Sequence, residues 1–81
     1  MKKVHVKYFA SLRESAGKSE ELIELDPNDS IKDLYNKLVL KYDFALQAEQ
    51  IKFSLNNEYV DPHSIPKIND IVVFIPPVSG G

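Results

Sequence analysis

The chain contains no cysteine. That one absence removes disulfides, thiolate metal ligands, iron–sulfur ligation and a cysteine nucleophile together. Glycine is nearly absent as well: Gly80 and Gly81 are the final two residues, and Gly17 is the only other. No glycine-rich loop is therefore available to cradle a phosphate, so ATP, if it is used, must be bound by another protein. Neither sign of charge dominates. The formal net charge is −2, which gives no electrostatic case for nucleic acid or an anionic membrane surface. No apolar run approaches the roughly 20 residues of a membrane span. Histidine occurs twice, as His5 and His63, without close spacing or cysteine partners, so no metal site is expected. Asp61 beside His63 reads as loop solvation rather than an acid–base pair.

What is present is the composition of an ordinary folded domain, 43% apolar and 27% charged over 81 residues. A chain of this size buries only about 60–65% of its unfolded surface, so its core must be economical. Met1-Lys2-Lys3 has the look of a secretory leader. However, His5 and Lys7 interrupt the stretch that follows, and alternation is not what a leader's apolar region shows. The expectation is a cytoplasmic protein that begins with a strand.

Val4, Val6 and Tyr8 alternate with Lys3, His5 and Lys7, the period of a half-buried strand. Phe9 then falls on the polar face. Residues 10–16 suit a short helix stopped by Gly17. Residues 20–25 form a second strand, with Ile23 and Leu25, and Leu22 as a further candidate, on its apolar side. Asp26-Pro27-Asn28-Asp29 is a turn cluster. Ser30 follows as an N-cap, with Asp33 in the first turn. Ile31, Leu34, Tyr35, Leu38, Val39 and Tyr42 then recur at helical spacing. Ile51, Phe53 and Leu55 alternate with Lys52 and Ser54 as a third strand, and Asn56-Asn57-Glu58 turns the chain into a short fourth. Pro62 and Pro66 mark a loop. Ile71-Val72-Val73-Phe74-Ile75 is continuously apolar and mostly β-branched, the mark of a strand central in its sheet. A hairpin, a crossover helix and a final strand parallel to the first make an α+β fold. Its mixed five-stranded sheet carries one main helix on one face, the β-grasp arrangement. The domain is expected over residues 1–75, with an extended tail over 76–81.

In that tail Pro76 ends the strand, since it has no ladder donor, and Pro76-Pro77 favours an extended exit. Six extended residues span at most about 20 Å. Gly80 and Gly81 lack Cβ atoms and fit a channel only as wide as backbone. A terminal carboxylate with no side chain crowding it becomes electrophilic once adenylated, and a persulfide can then convert it to a thiocarboxylate. Such chemistry needs no cysteine on the carrier.

The segment Val72-Val73-Phe74-Ile75-Pro76-Pro77-Val78-Ser79-Gly80-Gly81 resembles the ending of the MoaD family, the small subunits of molybdopterin synthase. Tyr8-Phe9-Ala10-Ser11-Leu12-Arg13-Glu14 and Gly17 resemble its opening, and Asn56 and Asn69-Asp70 match in kind. The resemblance departs from the family at Asn69, where glycine is usual. It departs also at Ile71, where an acid is common, and at Ile75, where an aromatic is.

The family is β-grasp and ubiquitin-like. The resemblance implies that Gly81 is the reacting group, adenylated by a MoeB-type enzyme that consumes ATP and sulfurated by a sulfurtransferase or other donor. It implies that Pro76, Pro77, Val78, Ser79 and Gly80 thread into the large subunit MoaE. There the sulfur would pass to cyclic pyranopterin monophosphate, with the catalytic groups on MoaE and two subunits of each kind assembled. No tightly bound cofactor is expected. From the residues themselves, Phe9 on the first strand and Ile71, Val73 and Ile75 on the last form the candidate docking patch, with Arg13 and Tyr59 at the rim. Three alternatives stay open: a carrier for thiamine synthesis or tRNA thiolation, a ubiquitin-like modifier, or a β-grasp binding module with an inert tail.

Overall fold

Alternation in the strands and a 3.6-residue stripe in the helix dictate two layers, and the computed structural model has them. It describes residues 1–77; Val78, Ser79, Gly80 and Gly81 lie outside the described residues. The order is β1 (Lys2–Tyr8), α1 (Ala10–Ala16), β2 (Glu20–Leu25), α2 (Ile31–Tyr42), a 3-10 turn (Ala48–Gln50), β3 (Lys52–Leu55), β4 (Glu58–Val60) and β5 (Ile71–Ile75). The sheet runs β2-β1-β5-β3-β4. Within it β1 and β5 are parallel and the other pairs antiparallel. The continuous apolar run is thus the middle strand, as its composition requires.

One sheet face carries Val4, Val6, Tyr8, Leu25, Phe53, Val72 and Phe74 against Ile31, Leu34, Tyr35 and Leu38 of α2, all buried. Tyr35 is the hub. Its ring lies 5.1 Å from Phe74, 5.8 Å from Phe44 and 6.0 Å from Phe53, and its hydroxyl donates to the Leu46 carbonyl at 2.8 Å. A complete capping box starts α2: the Asp33 amide donates to Ser30 Oγ at 3.1 Å, and the Ser30 amide donates to Asp33 Oδ2 at 2.9 Å. Gly17 closes α1 in the left-handed region, at φ 76°. Asn56 and Asn57 turn β3 into β4 with φ of 51° and 72°, the mirror-image turn that matches strand twist. Asn69 also has positive φ, so asparagine serves there without glycine.

Three expectations need correction. Leu22 is on the solvent side, 56% exposed; the inward positions of β2 are Glu21, Ile23 and Leu25. Ser54, expected among the polar outward residues, is buried on the open face beside Val73 and Tyr59. The third strand, expected from Ile51, begins at Lys52; the segment before it, on which the pattern was silent, holds a 3-10 turn and buries Phe44, Ala48 and Ile51.

Candidate functional site

The site is built where β1 and β5 end. These strands are parallel and in register, with Tyr8 opposite Phe74. Both rings are buried under α2, so alternation turns the next residue of each strand, Phe9 and Ile75, to the open face. Two side chains distant in sequence are thereby placed side by side by one register. Lys52 of β3 lies opposite Ile75, and Ser54 lies between Val73 and Tyr59. Phe9, Val73, Ile75 and Tyr59 line one shallow depression, with Lys7 among its polar residues. Tyr59 is 70% exposed, and the Lys52 ammonium sits 5.7 Å from its ring centre.

The root of the tail rises from this depression. Pro76 and Pro77 border a second, mostly apolar groove, with Phe9, Ala10, Ser11 and Leu46 on its other side. They border a third with Lys52 and Tyr59. Phe9 and Ile75 are common to the first two hollows and form the ridge between them. The structure therefore brings Phe9, Tyr59, Ile75, Pro76 and Pro77 together. Arg13 is exposed on α1 and lines none of these hollows. The expected reacting group Gly81 and the threading residues Val78, Ser79 and Gly80 lie outside the described residues.

Ile71 and Val73 of the expected apolar patch do line the first depression, while Lys7, Ala10 and Leu46 complete the hollows without having been singled out. The alternation that placed Phe9 also placed Lys7 on its face, so that signal was available. Leu46 carried none, since it belongs to no periodic segment. Ala10 is unusual in its backbone: φ is +50°, a region costing a residue with a Cβ about 1–2 kcal/mol.

Beneath the ridge the titratable groups are locked. Tyr8 donates to Glu21 Oε2 at 2.5 Å, and Tyr42 donates to the same oxygen at 2.6 Å. Burial, then the hydrogen bond and charge of Glu21, pushes the Tyr8 phenol far above its ordinary range. Burial alone pushes Tyr35 up to about 12. Partial burial would raise Glu21, but hydrogen bonds from Tyr42 and Tyr8 and the nearby Lys41 and Lys18 outweigh it and hold the carboxyl below its usual value. At neutral pH these groups act as fixed struts. Among the described residues no cluster of three or more His, Cys, Asp or Glu could hold a metal, and no helix is long and apolar enough to cross a membrane.

The chain is 38% identical to the molybdopterin synthase sulfur carrier subunit of Chlamydomonas reinhardtii, over 96% of this chain and 98% of that protein. The small archaeal modifier protein 1 of Methanosarcina acetivorans superposes with a TM-score of 0.78 at 26% identity, covering 100% of this chain and 98% of that one. A ubiquitin of Caldiarchaeum subterraneum, at 15% identity over 99% and 98% of the two chains, shares the fold with a TM-score of 0.68. The model of the ThiS family matches residues 6–81, nearly the whole sequence, and the chain belongs to that family of β-grasp proteins.

Proposed function

We propose that this chain is the sulfur carrier subunit of a molybdopterin synthase and that its working group is the Gly81 carboxylate. The observation that carries the reading is the near full-length relationship to the Chlamydomonas carrier subunit. The placement of Phe9 and Ile75 on the same two hollows at the root of the tail supports it. An adenylating enzyme of the MoeB type binds ATP, and a Gly81 carboxylate oxygen attacks the α-phosphorus, expelling pyrophosphate. A donor persulfide then attacks the acyl carbon and expels AMP. A thiol cleaves the remaining S–S bond and takes up the donor sulfur as a disulfide, leaving a thiocarboxylate on Gly81. The tail from Pro76 to Gly80 enters the large subunit MoaE, whose groups direct the sulfur onto cyclic pyranopterin monophosphate. Phe9, Ile75 and Tyr59 seat the domain against that subunit, and Arg13 contacts its rim. The carrier itself supplies shape and an end group rather than acid–base catalysis.

A second reading, a ubiquitin-like modifier joined to lysines, is favoured by the likeness to the archaeal modifier protein. One experiment separates the two. The protein is incubated with ATP, an adenylating enzyme and a sulfur donor, and its intact mass is measured. Replacement of one oxygen by sulfur, localised to Gly81, is the expected result. Isopeptide-linked ladders formed in a lysate would establish the modifier instead, and an unchanged mass together with the absence of ladders would overturn both.

A further inference from the structure

Five non-glycine residues among those described have positive φ: Ala10, Asp43, Asn56, Asn57 and Asn69. Four are Asp or Asn, whose short polar side chains make the left-handed region tolerable. Ala10 has no such excuse, and glycine would relieve it. Strain of this kind persists only where the surroundings over-determine it, and it gathers at functional positions.

Ala10 is itself exposed, as are Phe9 and Ser11 beside it, but the chain is anchored two residues away on either side. Tyr8 on one side and Leu12 on the other are buried almost completely. The Phe9 carbonyl accepts from the Leu12 amide at 3.1 Å and from the Arg13 amide at 3.4 Å. The chain must leave the extended Phe9, at φ −123° and ψ 154°, and enter α1 within one residue. That abrupt turn leaves Phe9 standing on the ridge between the two hollows, with Ala10 lining the groove toward Pro76 and Pro77. A glycine would make the same turn more easily, but it would also allow others.

We infer that Ala10 is a positioning residue, which uses its Cβ and its forced left-handed backbone to hold the Phe9 ring against Ile75 and the tail root. The inference rests on the proposed docking role of Phe9 for its consequence, though not for its geometry. The test compares Ala10→Gly, which frees the backbone, with Ala10→Asn, which restores both a Cβ and tolerance of positive φ.

In Ala10→Gly, nuclear Overhauser contacts between the Phe9 ring and Ile75 should weaken while the melting temperature stays equal or rises. Affinity for the large subunit should fall by about threefold to tenfold, the cost of ordering one large side chain on binding. Ala10→Asn should restore both contacts and affinity. Contacts in Ala10→Gly that match the original would overturn the inference, as would loss in Ala10→Asn equal to that in Ala10→Gly. If the unaltered protein fails to bind the large subunit, the functional reading falls, and the Phe9–Ile75 contacts still decide the role of Ala10.

Discussion

Glu21 takes hydroxyl hydrogen bonds from Tyr8 and Tyr42 on one oxygen and faces Lys18 at 3.5 Å and Lys41 at 3.8 Å on the other. Its side chain is only 13% exposed. β2 could have been read in either phase, since Leu22 and the pair Ile23 and Leu25 point to opposite faces. The tie is broken by phenols contributed from β1 and α2, partners that no local pattern in β2 contains. Replacing Glu21 by alanine leaves the buried Tyr8 hydroxyl without its acceptor and should cost about 1–3 kcal/mol in denaturant unfolding. Glu21→Gln, which keeps an acceptor, should cost less. The folded-state pKa of Glu21 lies below its unfolded value, so its contribution is complete above the ordinary carboxylate pKa and is lost as pH falls through the folded value. Stability of the original protein should therefore drop more steeply on acidification than that of Glu21→Gln; parallel curves would contradict the assignment.

The elements divide by how locally they are specified. α2 was legible residue by residue because cap, stripe and dipole all agree between Ser30 and Tyr42. β5 was legible from its unbroken apolar run. The 3-10 turn was not: Ala48–Gln50 has too few residues for a period. Phe44 reaches the core through Tyr42, Tyr35 and Tyr8, at ring separations of 5.7, 5.8 and 6.0 Å. The start of β5 depends on the β3–β4 turn. Asn56 Nδ2 donates to Asp70 at 3.0 Å, and the Ile71 amide donates to Asn56 Oδ1 at 2.9 Å. Asn56→Ala removes both bonds and puts a residue that resists positive φ at 51°. A loss of about 2 kcal/mol is expected. Amide exchange should quicken first at Ile71; exchange unchanged there would show that the turn does not anchor β5.

At the scale of the whole molecule, sheet order matters more than any side chain. Placing β5 between β1 and β3 makes the tail leave from the centre of the sheet. The root of the tail is thereby surrounded by Phe9, Ile75, Tyr59 and Lys52, which come from four different strands or strand ends. Sequence pattern foresaw the sheet and the apolar ridge, because both follow from alternation. Arg13, expected only as a rim contact, lines none of the hollows, and the entry into its helix passes through the positive-φ turn at Ala10, which periodicity does not encode.

In the proposed function the domain is a mount, and what reacts is the end of its main chain, positioned to within about an ångström in a partner's site. The most direct test is single-turnover sulfur transfer by a variant lacking Gly81, measured beside its melting temperature. The account predicts an unchanged melting temperature with transfer abolished. Transfer at the original rate from the shortened chain would contradict it.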